Sequence, residues 1–234
     1  FTGNIADNNG GGMFNYNISN PTLTKVTFEK NDAANGGGIY NQASSPTLTN
    51  ATFQDNTSLK GGALFNTGGS NATLVNVTIA ENSAVTNGGG LYNGNSNPSL
   101  TNVILWDNAS TSGVDEVFNN SSIPVINNSV VEGGCPAGAA CLAIYVTNPM
   151  LSPLADNGGL TKTMAIDDDG SAFDTGSDAD CPAVDQRGAT RPIGPHCDIG
   201  AYESTDLPTT MESITLATGW TNPTSETNVG FVVT

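Results

Sequence analysis

The amino-acid sequence predicts an all-β protein, folded as a right-handed parallel β-helix with a disulfide-bearing C-terminal cap. Three observations carry this prediction. A motif recurs about every 26 residues through the first half of the chain, which is typical of a solenoid. Apolar residues fall at equivalent positions in each repeat, in runs short enough for three strands per coil. Four cysteines lie in two local pairs after the repeats end.

Each repeat opens with the pattern Asn-x-Ala/Ser. The openings are at Asn4, Asn31, Asn56, Asn82 and Asn108, with spacings of 27, 25, 26 and 26 residues. In four of the five units a Gly-rich triplet follows, and then an aliphatic residue, an aromatic residue and an asparagine, as in Ile39-Tyr40-Asn41. Two further apolar stretches complete the unit, such as Pro46-Thr47-Leu48-Thr49 and Ala51-Thr52-Phe53. Three short strands separated by polar turns predict one triangular coil, which buries its apolar face only against neighbouring coils.

Stacked coils place like residues on like, at roughly 4.8 Å per rung. One interior column is predicted from Leu23, Leu48, Leu74, Leu100 and Ile126, and another from Phe28, Phe53, Ile79, Leu105 and Val131. A turn is predicted between the second and third strands at Asn50, Asn76, Asn102 and Asn128. Asparagine tolerates the left-handed backbone region and forms hydrogen bonds along a stack, so these four residues are predicted to form a structural ladder.

The formal net charge of −16, from 22 acidic residues against six Lys and Arg, excludes nucleic acid as a predicted partner, because that partner requires basic patches. No run of 18 apolar residues occurs, so direct membrane insertion is not expected. Ca²⁺ is the one cofactor that the sequence suggests, with Asp167, Asp168, Asp169 and Asp174 as its ligands. The alternative is a solvated acidic loop, since the spacing of an EF-hand is absent.

The even number of cysteines favours two disulfides and an oxidising compartment. The preferred pairs are Cys135–Cys141 and Cys181–Cys197, although three pairings are open from sequence. Between and beside the second pair lie Asp185, Arg187, Arg191 and Asp198, which are predicted to hold the non-repetitive cap together through bidentate Arg–carboxylate pairs.

The repeat units, with the stretches Asn148-Pro-Met-Leu-Ser-Pro-Leu-Ala-Asp-Asn-Gly-Gly-Leu and Cys197-Asp-Ile-Gly-Ala-Tyr-Glu203, carry a family resemblance. The chain resembles right-handed β-helix surface proteins of bacteria, including polymorphic outer-membrane adhesins, and its C-terminal end looks like a choice-of-anchor Q domain. The resemblance covers about residues 1–203. It implies a non-catalytic module of a large exported protein at the bacterial cell surface.

Four regions are predicted along the chain. Residues 1–133 form the repeats, 134–203 the final coils and cap, and 204–210 a linker. Residues 211–234 resemble the start of an Ig-like module, or a free strand-like tail. Such a tail would allow head-to-tail assembly, by adding a strand to the open N-terminal edge of another copy.

The predicted function is an extracellular structural or adhesive module, without catalytic residues, that contacts other copies of itself, neighbouring modules or surface carbohydrate. One alternative is a β-helix that binds or cleaves polysaccharide, with stacked acids at Asp55, Glu81 and Asp107. A second alternative is ice binding through the Thr-x-Thr pattern of successive strands, as at Thr22/Thr24 and Thr47/Thr49.

Overall fold

The computed structural model describes residues 1–111, 113 and 116–205. In this part of the chain the regular structure is almost entirely β, with one short 3-10 turn at Asp178–Asp180. The strands are β1 (Ile5–Asn9), β2 (Met13–Tyr16), β3 (Thr22–Glu29), β4 (Asp32–Asn35), β5 (Ile39–Gln42), β6 (Thr47–Gln54), β7 (Thr57–Lys60), β8 (Leu64–Thr67), β9 (Thr73–Ala80), β10 (Ser83–Asn87), β11 (Leu91–Gly94), β12 (Ser99–Trp106), β13 (Ala109–Ser110), β14 (Val117–Asn120), β15 (Val125–Val131) and β16 (Ala140–Tyr145).

These strands form three parallel sheets. Sheet one has the order β1-β4-β7-β10-β13, sheet two β14-β11-β8-β5-β2, and sheet three β16-β15-β12-β9-β6-β3. Up to β15 each coil contributes one strand to each sheet, and each strand pairs with the strand three positions earlier in the chain. The last strand, β16, pairs directly with β15. The predicted all-β parallel β-helix is confirmed, with about five coils.

The three strands of a coil differ in their boundaries from the prediction. The two apolar stretches predicted as separate strands form one strand of eight residues in sheet three, as in Thr47–Gln54. The residue at its centre, Asn50, has φ 53°, and pairing with the next rung continues on both sides of it. A single left-handed residue bends a strand without ending its ladder. The third strand of the coil is instead the Asn-x-Ala/Ser segment, which forms sheet one.

Both predicted interior columns are present. Leu48 pairs with Leu74 and Phe53 with Ile79 in direct register, and all four side chains are fully buried. The rings of Phe28 and Phe53 stack with centroids 4.7 Å apart and planes 2° from parallel. Burial of such side chains supplies most of the driving force for stacking, roughly 1.5–3 kcal/mol for each residue removed from water.

The Gly-rich triplet brings the chain close to sheet one. Gly36 has φ +63°, a conformation that glycine adopts at no steric cost. A Cβ atom on the next residue, Gly37, would overlap the carbonyl oxygen of Thr57 and lie 2.7 Å from that of Gly62. The triplet is therefore required because two backbones meet where a side chain has no room.

Replacing Gly37 with alanine is expected to destabilise the protein by about 1–3 kcal/mol, since the added methyl group meets backbone rather than a movable side chain. Chemical denaturation followed by circular dichroism measures this loss. The same substitution at Gly69, around which a Cβ atom finds nothing within 4 Å but which has φ +82°, separates the steric effect from backbone strain. A loss below about 0.5 kcal/mol for Gly37→Ala, the range of an ordinary surface substitution, would contradict the packing explanation.

Candidate functional surfaces

The segment that follows β16, residues 146–205, lies along the outer face of sheet three. We expected it to cover the C-terminal end of the coil, but its contacts run back along the solenoid to the first rung. Thr27 donates a hydrogen bond to the carbonyl of Lys162 (2.7 Å), and Thr52 donates to Oε1 of Gln186 (2.8 Å). Further along, the amide of Ala201 donates to the hydroxyl of Thr78 (3.0 Å). The segment thus braces several rungs laterally.

A second apolar cluster seals this lateral contact. Ile104 and Val130, which point outward from sheet three, are fully buried against Ile166, Ala172 and Ile199 of the segment. Sequence reasoning assigned no partner to these two outward residues. Their apolar character is the signal that could have shown a covered face, since the equivalent positions in earlier coils are threonines.

Gln186 joins the segment to two rungs at once. Its side chain accepts from Thr52 and donates to the hydroxyls of Thr27 (2.9 Å) and Thr161 (2.9 Å). Gln186→Ala is expected to cost about 1–3 kcal/mol, because buried hydroxyl groups lose their partners. Hydrogen exchange should increase first in residues 157–163. Unchanged exchange in that stretch would show that the segment is held elsewhere.

Three of the four asparagines predicted as a ladder, Asn50, Asn76 and Asn102, have a different main role. Asn50, Asn76, Asn102 and Asn128 all have positive φ, between 45° and 53°, as predicted. One rung-to-rung bond joins Asn102 to Asn76 at 3.3 Å. The stronger contacts are to the C-terminal segment: Asn50 donates to the carbonyl of Val184, Asn76 to those of Asp198 and Gly200, and Asn102 to that of Ser177. The side chains bind the segment because they emerge on the face that it covers.

The predicted cap residues lie together within this segment. Arg187 donates through Nε to Asp185 Oδ2 at 2.8 Å, and its guanidinium lies 3.6 Å from the ring centre of Tyr202. Asp185 is fully buried and also accepts the backbone amides of residues 187, 188 and 189 through Oδ1. The contact between Arg187 and Asp185 is therefore part of a loop closure, but it runs through one nitrogen, whereas the sequence predicted a bidentate pair.

Arg191 makes a different set of contacts from the predicted bidentate pair. Its guanidinium is fully buried and donates to the carbonyls of Asp198 (2.9 Å) and Gly200 (2.8 Å). The nearest carboxylate is that of Glu203, at 3.5 Å from Nη1. Burial lowers the pKa of Arg191 and raises that of Glu203, and in both groups it outweighs their mutual attraction. In the sequence Glu203 is visible only as part of the family motif, and nothing there indicates that it lies beside a buried arginine.

Asp198 orders the backbone around this buried group. Its carboxylate accepts the amides of Asp174 (2.7 Å) and Ser204 (2.6 Å). Burial raises its pKa to about 7, and the neighbouring Glu203 acts in the same direction. Ser204, predicted to begin a linker, is buried and belongs to this network. Residues 206–210 of the predicted linker and the tail at 211–234 lie outside the described residues.

Both preferred disulfides are present. Cys135 is bonded to Cys141, and Cys181 to Cys197, with Cα–Cα distances of 6.0 and 6.3 Å. The first closes a loop against the last coil, where Asn119 donates to the carbonyl of Ala137. The second joins two parts of the lateral segment. Disulfides indicate an oxidising, extracellular environment.

Three of the four predicted Ca²⁺ ligands come together. One carboxylate oxygen from each of Asp167, Asp168 and Asp169 lies within 4.8 Å of the others. Asp174 does not join them, because its Oδ1 accepts the amide of His196 and it packs against Gly194. The triplet occupies a surface turn in which Asp169 donates its amide to Asp167 Oδ1. Aspartates in such turns are common without an ion. The structure therefore shows only that these three carboxylates lie close together.

Two other asparagine columns form the internal ladders of the coil. The asparagine that opens each repeat donates to its counterpart in the next rung, as Asn31 does to Asn56 (2.8 Å) and Asn56 to Asn82 (2.8 Å). The asparagine after each aromatic residue does the same, as between Asn41 and Asn66 (2.8 Å). These residues were read from the sequence as repeat markers, and their fixed spacing was the signal that could have shown their function.

Glu116 takes the place of asparagine at the end of the first column. Its carboxyl group accepts the backbone amide of Asn108 (3.0 Å) and its side-chain amide (2.5 Å). Burial raises the pKa of Glu116 to about 8, and Glu132, with which it shares a hydrogen bond, acts in the same direction. A carboxyl group that accepts from Asn108 and donates its proton to Glu132 satisfies both contacts.

The stacked acids at Asp55, Glu81 and Asp107 occupy one turn with left-handed backbones, φ 53° to 58°. Glu81 accepts a hydrogen bond from Gln54 (2.6 Å), and the amide of Asp107 donates to Glu132 (2.9 Å). Burial and the neighbouring acids raise the pKa of Asp107. Through these hydrogen bonds Glu81 and Asp107 connect neighbouring rungs at this turn.

Two outer surfaces extend along several rungs. A shallow trough on sheet one, with a volume of about 720 Å³, is lined mostly by aliphatic and hydroxyl side chains, including the exposed Ile5, Leu59 and Val85, together with Asp7 and Asp32. On the uncovered half of sheet three, Thr22, Thr47, Thr73 and Ser99 form one column in register. Thr24, Thr49, Val75 and Thr101 form a second column beside it.

Comparison with known proteins gives no relative. No protein-family description, no curated protein and no solved structure matches the chain. Among the described residues, no helix combines the length and apolar character needed to cross a membrane.

Proposed function

We propose that this chain is a non-catalytic structural or adhesive module of a larger extracellular protein on a bacterial surface. One observation carries the proposal: the buried polar side chains of the coil are used to join rung to rung. The Asn4-to-Asn108 and Asn15-to-Asn119 columns bond each coil to the next through every rung. Such continuous bonding, braced by the lateral segment, suits a rigid spacer that holds a shape under load.

The titratable groups support a structural role as well. Arg187 and Arg191 donate to groups within the C-terminal segment, and Asp185 and Asp198 accept from its backbone. The two disulfides agree with an extracellular location. The resemblance to bacterial surface β-helices supports the bacterial setting.

The test compares binding with turnover on carbohydrate. Purified protein is incubated with a panel of neutral and acidic polysaccharides, and new reducing ends and unsaturated uronates are measured over time. We expect neither product to form. If the module is adhesive, one or more glycans fixed on an array should bind the protein. Product formation that is lost in a Glu81→Gln variant, but kept in an Asp7→Asn variant of the exposed first strand, would overturn the proposal in favour of a polysaccharide-cleaving enzyme.

The two columns of mostly threonine residues on the uncovered half of sheet three support ice binding as a second candidate function. The columns lie in register on a sheet, so hydroxyl and methyl groups repeat at about 4.8 Å along the solenoid. The described structure gives these hydroxyls no protein partner, whereas Thr27, Thr52 and Thr78 are bonded to the C-terminal segment. Thermal hysteresis that disappears in Thr49→Tyr, but persists in Thr67→Tyr on sheet two, would support it. Absence of hysteresis in the unchanged protein would reject it.

A further inference from the structure

The C-terminal segment, residues 146–205, is held on sheet three by non-covalent contacts. Among the described residues no disulfide joins it to the coil, because the first disulfide lies before the segment and the second, Cys181–Cys197, lies wholly within it. Its docking depends on hydrogen bonds, such as that from the amide of Ala201 to the hydroxyl of Thr78, and on the small apolar cluster described above. A segment held in this way can separate from the coil while the coil stays folded.

The carboxyl groups buried in this segment outnumber its buried cations. Asp185, Asp198 and Glu203 are fully buried with the guanidinium of Arg191, and the side chain of Arg187 is 11% exposed. Arg187 pairs with Asp185 at 2.8 Å, and Arg191 lies 3.5 Å from Glu203. Among the described residues, the carboxyl group of Asp198 accepts only backbone amides. With all three carboxyl groups ionised, the cluster would therefore hold one uncompensated negative charge away from water, which is costly.

Asp198 is the group on which a proton relieves this charge. Burial raises its pKa to about 7, and the nearby Glu203 acts in the same direction, whereas the accepted amides and Arg191 only partly offset them. Asp174 is a further acid packed beside it, and the coil meets its backbone carbonyl through Asn76, which carries no charge. Because the folded pKa exceeds the ordinary value of 3.8, the stability from the protonated group is complete below pH 3.8 and is lost as pH rises toward 7.

We propose that Asp198 is a proton-operated latch, which holds the C-terminal segment on sheet three while its carboxyl group is protonated and favours release of the segment once the group ionises. Release uncovers the outward side chains of that half of sheet three, from the hydroxyl groups of Thr27 and Thr52 to the apolar side chains of Ile104 and Val130. The latch decides which face the module presents. It therefore goes beyond the proposed structural or adhesive function and does not depend on it.

His196 is a second group near Asp198 that titrates in the same range. Its Nδ1 lies 2.8 Å from Oδ2 of Asp178, and this hydrogen bond raises the pKa of His196. Stability from a protonated group with a raised pKa is lost as pH rises, so His196 would act in the same direction as Asp198. The imidazole is 57% exposed, however, whereas Asp198 is buried at the contact with sheet three. The two groups are therefore separable by mutation.

Amide hydrogen exchange of the full chain between pH 4.5 and 8 tests the latch. After correction for the intrinsic rate at each pH, the opening constant at the amide of Ala201 is expected to rise at least about tenfold, because this amide donates to Thr78 across the contact. The amide of Leu64, which donates to Gly90 within the coil, should stay at least about tenfold better protected at every pH. Loss of protection at both amides together would mean unfolding of the whole chain and would overturn the proposal.

Three variants identify the group that titrates. Asp198→Asn should remove most of the rise at Ala201. Asparagine keeps one acceptor oxygen where Asp198 uses both, so the variant also loses one hydrogen bond, to the same extent at every pH. Asp169→Asn, at an exposed carboxyl group of the same segment, and His196→Gln should both keep the rise. A rise that persists in Asp198→Asn, or one that disappears in His196→Gln, would contradict the assignment to Asp198.

A direct titration needs no variant, and it decides the matter if Asp198→Asn leaves the segment open at every pH. The chemical shift of the Asp198 carboxyl carbon, followed by NMR, should change with a midpoint near pH 7, together with the opening constant at Ala201. A midpoint below about pH 5 would show that Asp198 is already ionised in the docked segment and would overturn the proposal.

Discussion

The free energy of unfolding of the unchanged protein is expected to fall between pH 4.5 and 8. Replacing Glu116 with glutamine is expected to remove most of this loss. The folded pKa of Glu116 is about 8, above its ordinary value of 4.5. A carboxyl group with a raised pKa stabilises the fold fully below its unfolded pKa, and this contribution declines as pH rises toward the folded value. At about 1.4 kcal/mol per pH unit, the loss reaches up to about 5 kcal/mol.

Glutamine keeps the shape of the protonated acid and can donate toward Glu132, but it retains one acceptor oxygen where Glu116 uses both of its oxygens to accept the two amides of Asn108. The variant therefore loses one of these hydrogen bonds, and this loss is the same at every pH. Urea denaturation between pH 4.5 and 8.5 measures the free energy of unfolding for both proteins. The exposed Asp7→Asn variant, which removes one negative charge from sheet one, corrects for net charge. If the unchanged and Glu116→Gln proteins keep a constant difference across this range, Glu116 does not carry the proton.

Replacing Asn56 with alanine is expected to destabilise the protein by about 3–6 kcal/mol. Asn56 is fully buried and donates to Asn82 Oδ1 (2.8 Å) and to the carbonyl of Phe28 (2.9 Å). Its Oδ1 accepts both amides of Asn31 (3.1 and 2.8 Å). Alanine leaves these partners buried and unpaired, at about 1–3 kcal/mol each. Thermal and urea unfolding measure the loss.

Aspartate at the same position distinguishes hydrogen bonding from packing. Asn56→Asp keeps the shape and the acceptor but loses the donor, so we expect a comparable loss at pH 7 that shrinks as the carboxylate is protonated at low pH. Asn8→Ala, at an exposed position of β1, should change the free energy of unfolding by no more than about 0.5 kcal/mol. If Asn56→Ala resembles Asn8→Ala, the ladders contribute little to stability.

Repetition made the solenoid predictable. Equivalent residues such as Leu48 and Leu74 recur at one spacing, and a repeat that cannot bury its own apolar face must stack on the next. The strand boundaries were harder, because apolar patterning alone does not separate two strands from one strand bent at Asn50. The disulfide pairs followed from local spacing, and the three neighbouring aspartates from their adjacency.

The sequence by itself determined the coil, its interior columns and the left-handed turns, because these depend on a period and on local backbone preferences. Only the tertiary structure decided where residues 146–205 lie. That segment has no repeat, and its docking depends on single contacts such as Thr52 with Gln186, 134 residues apart in the chain. The direction of the ladders was likewise not predictable, because the sequence does not show which way the side-chain amide of an asparagine points. Which atom faces which end is set by the neighbouring rung.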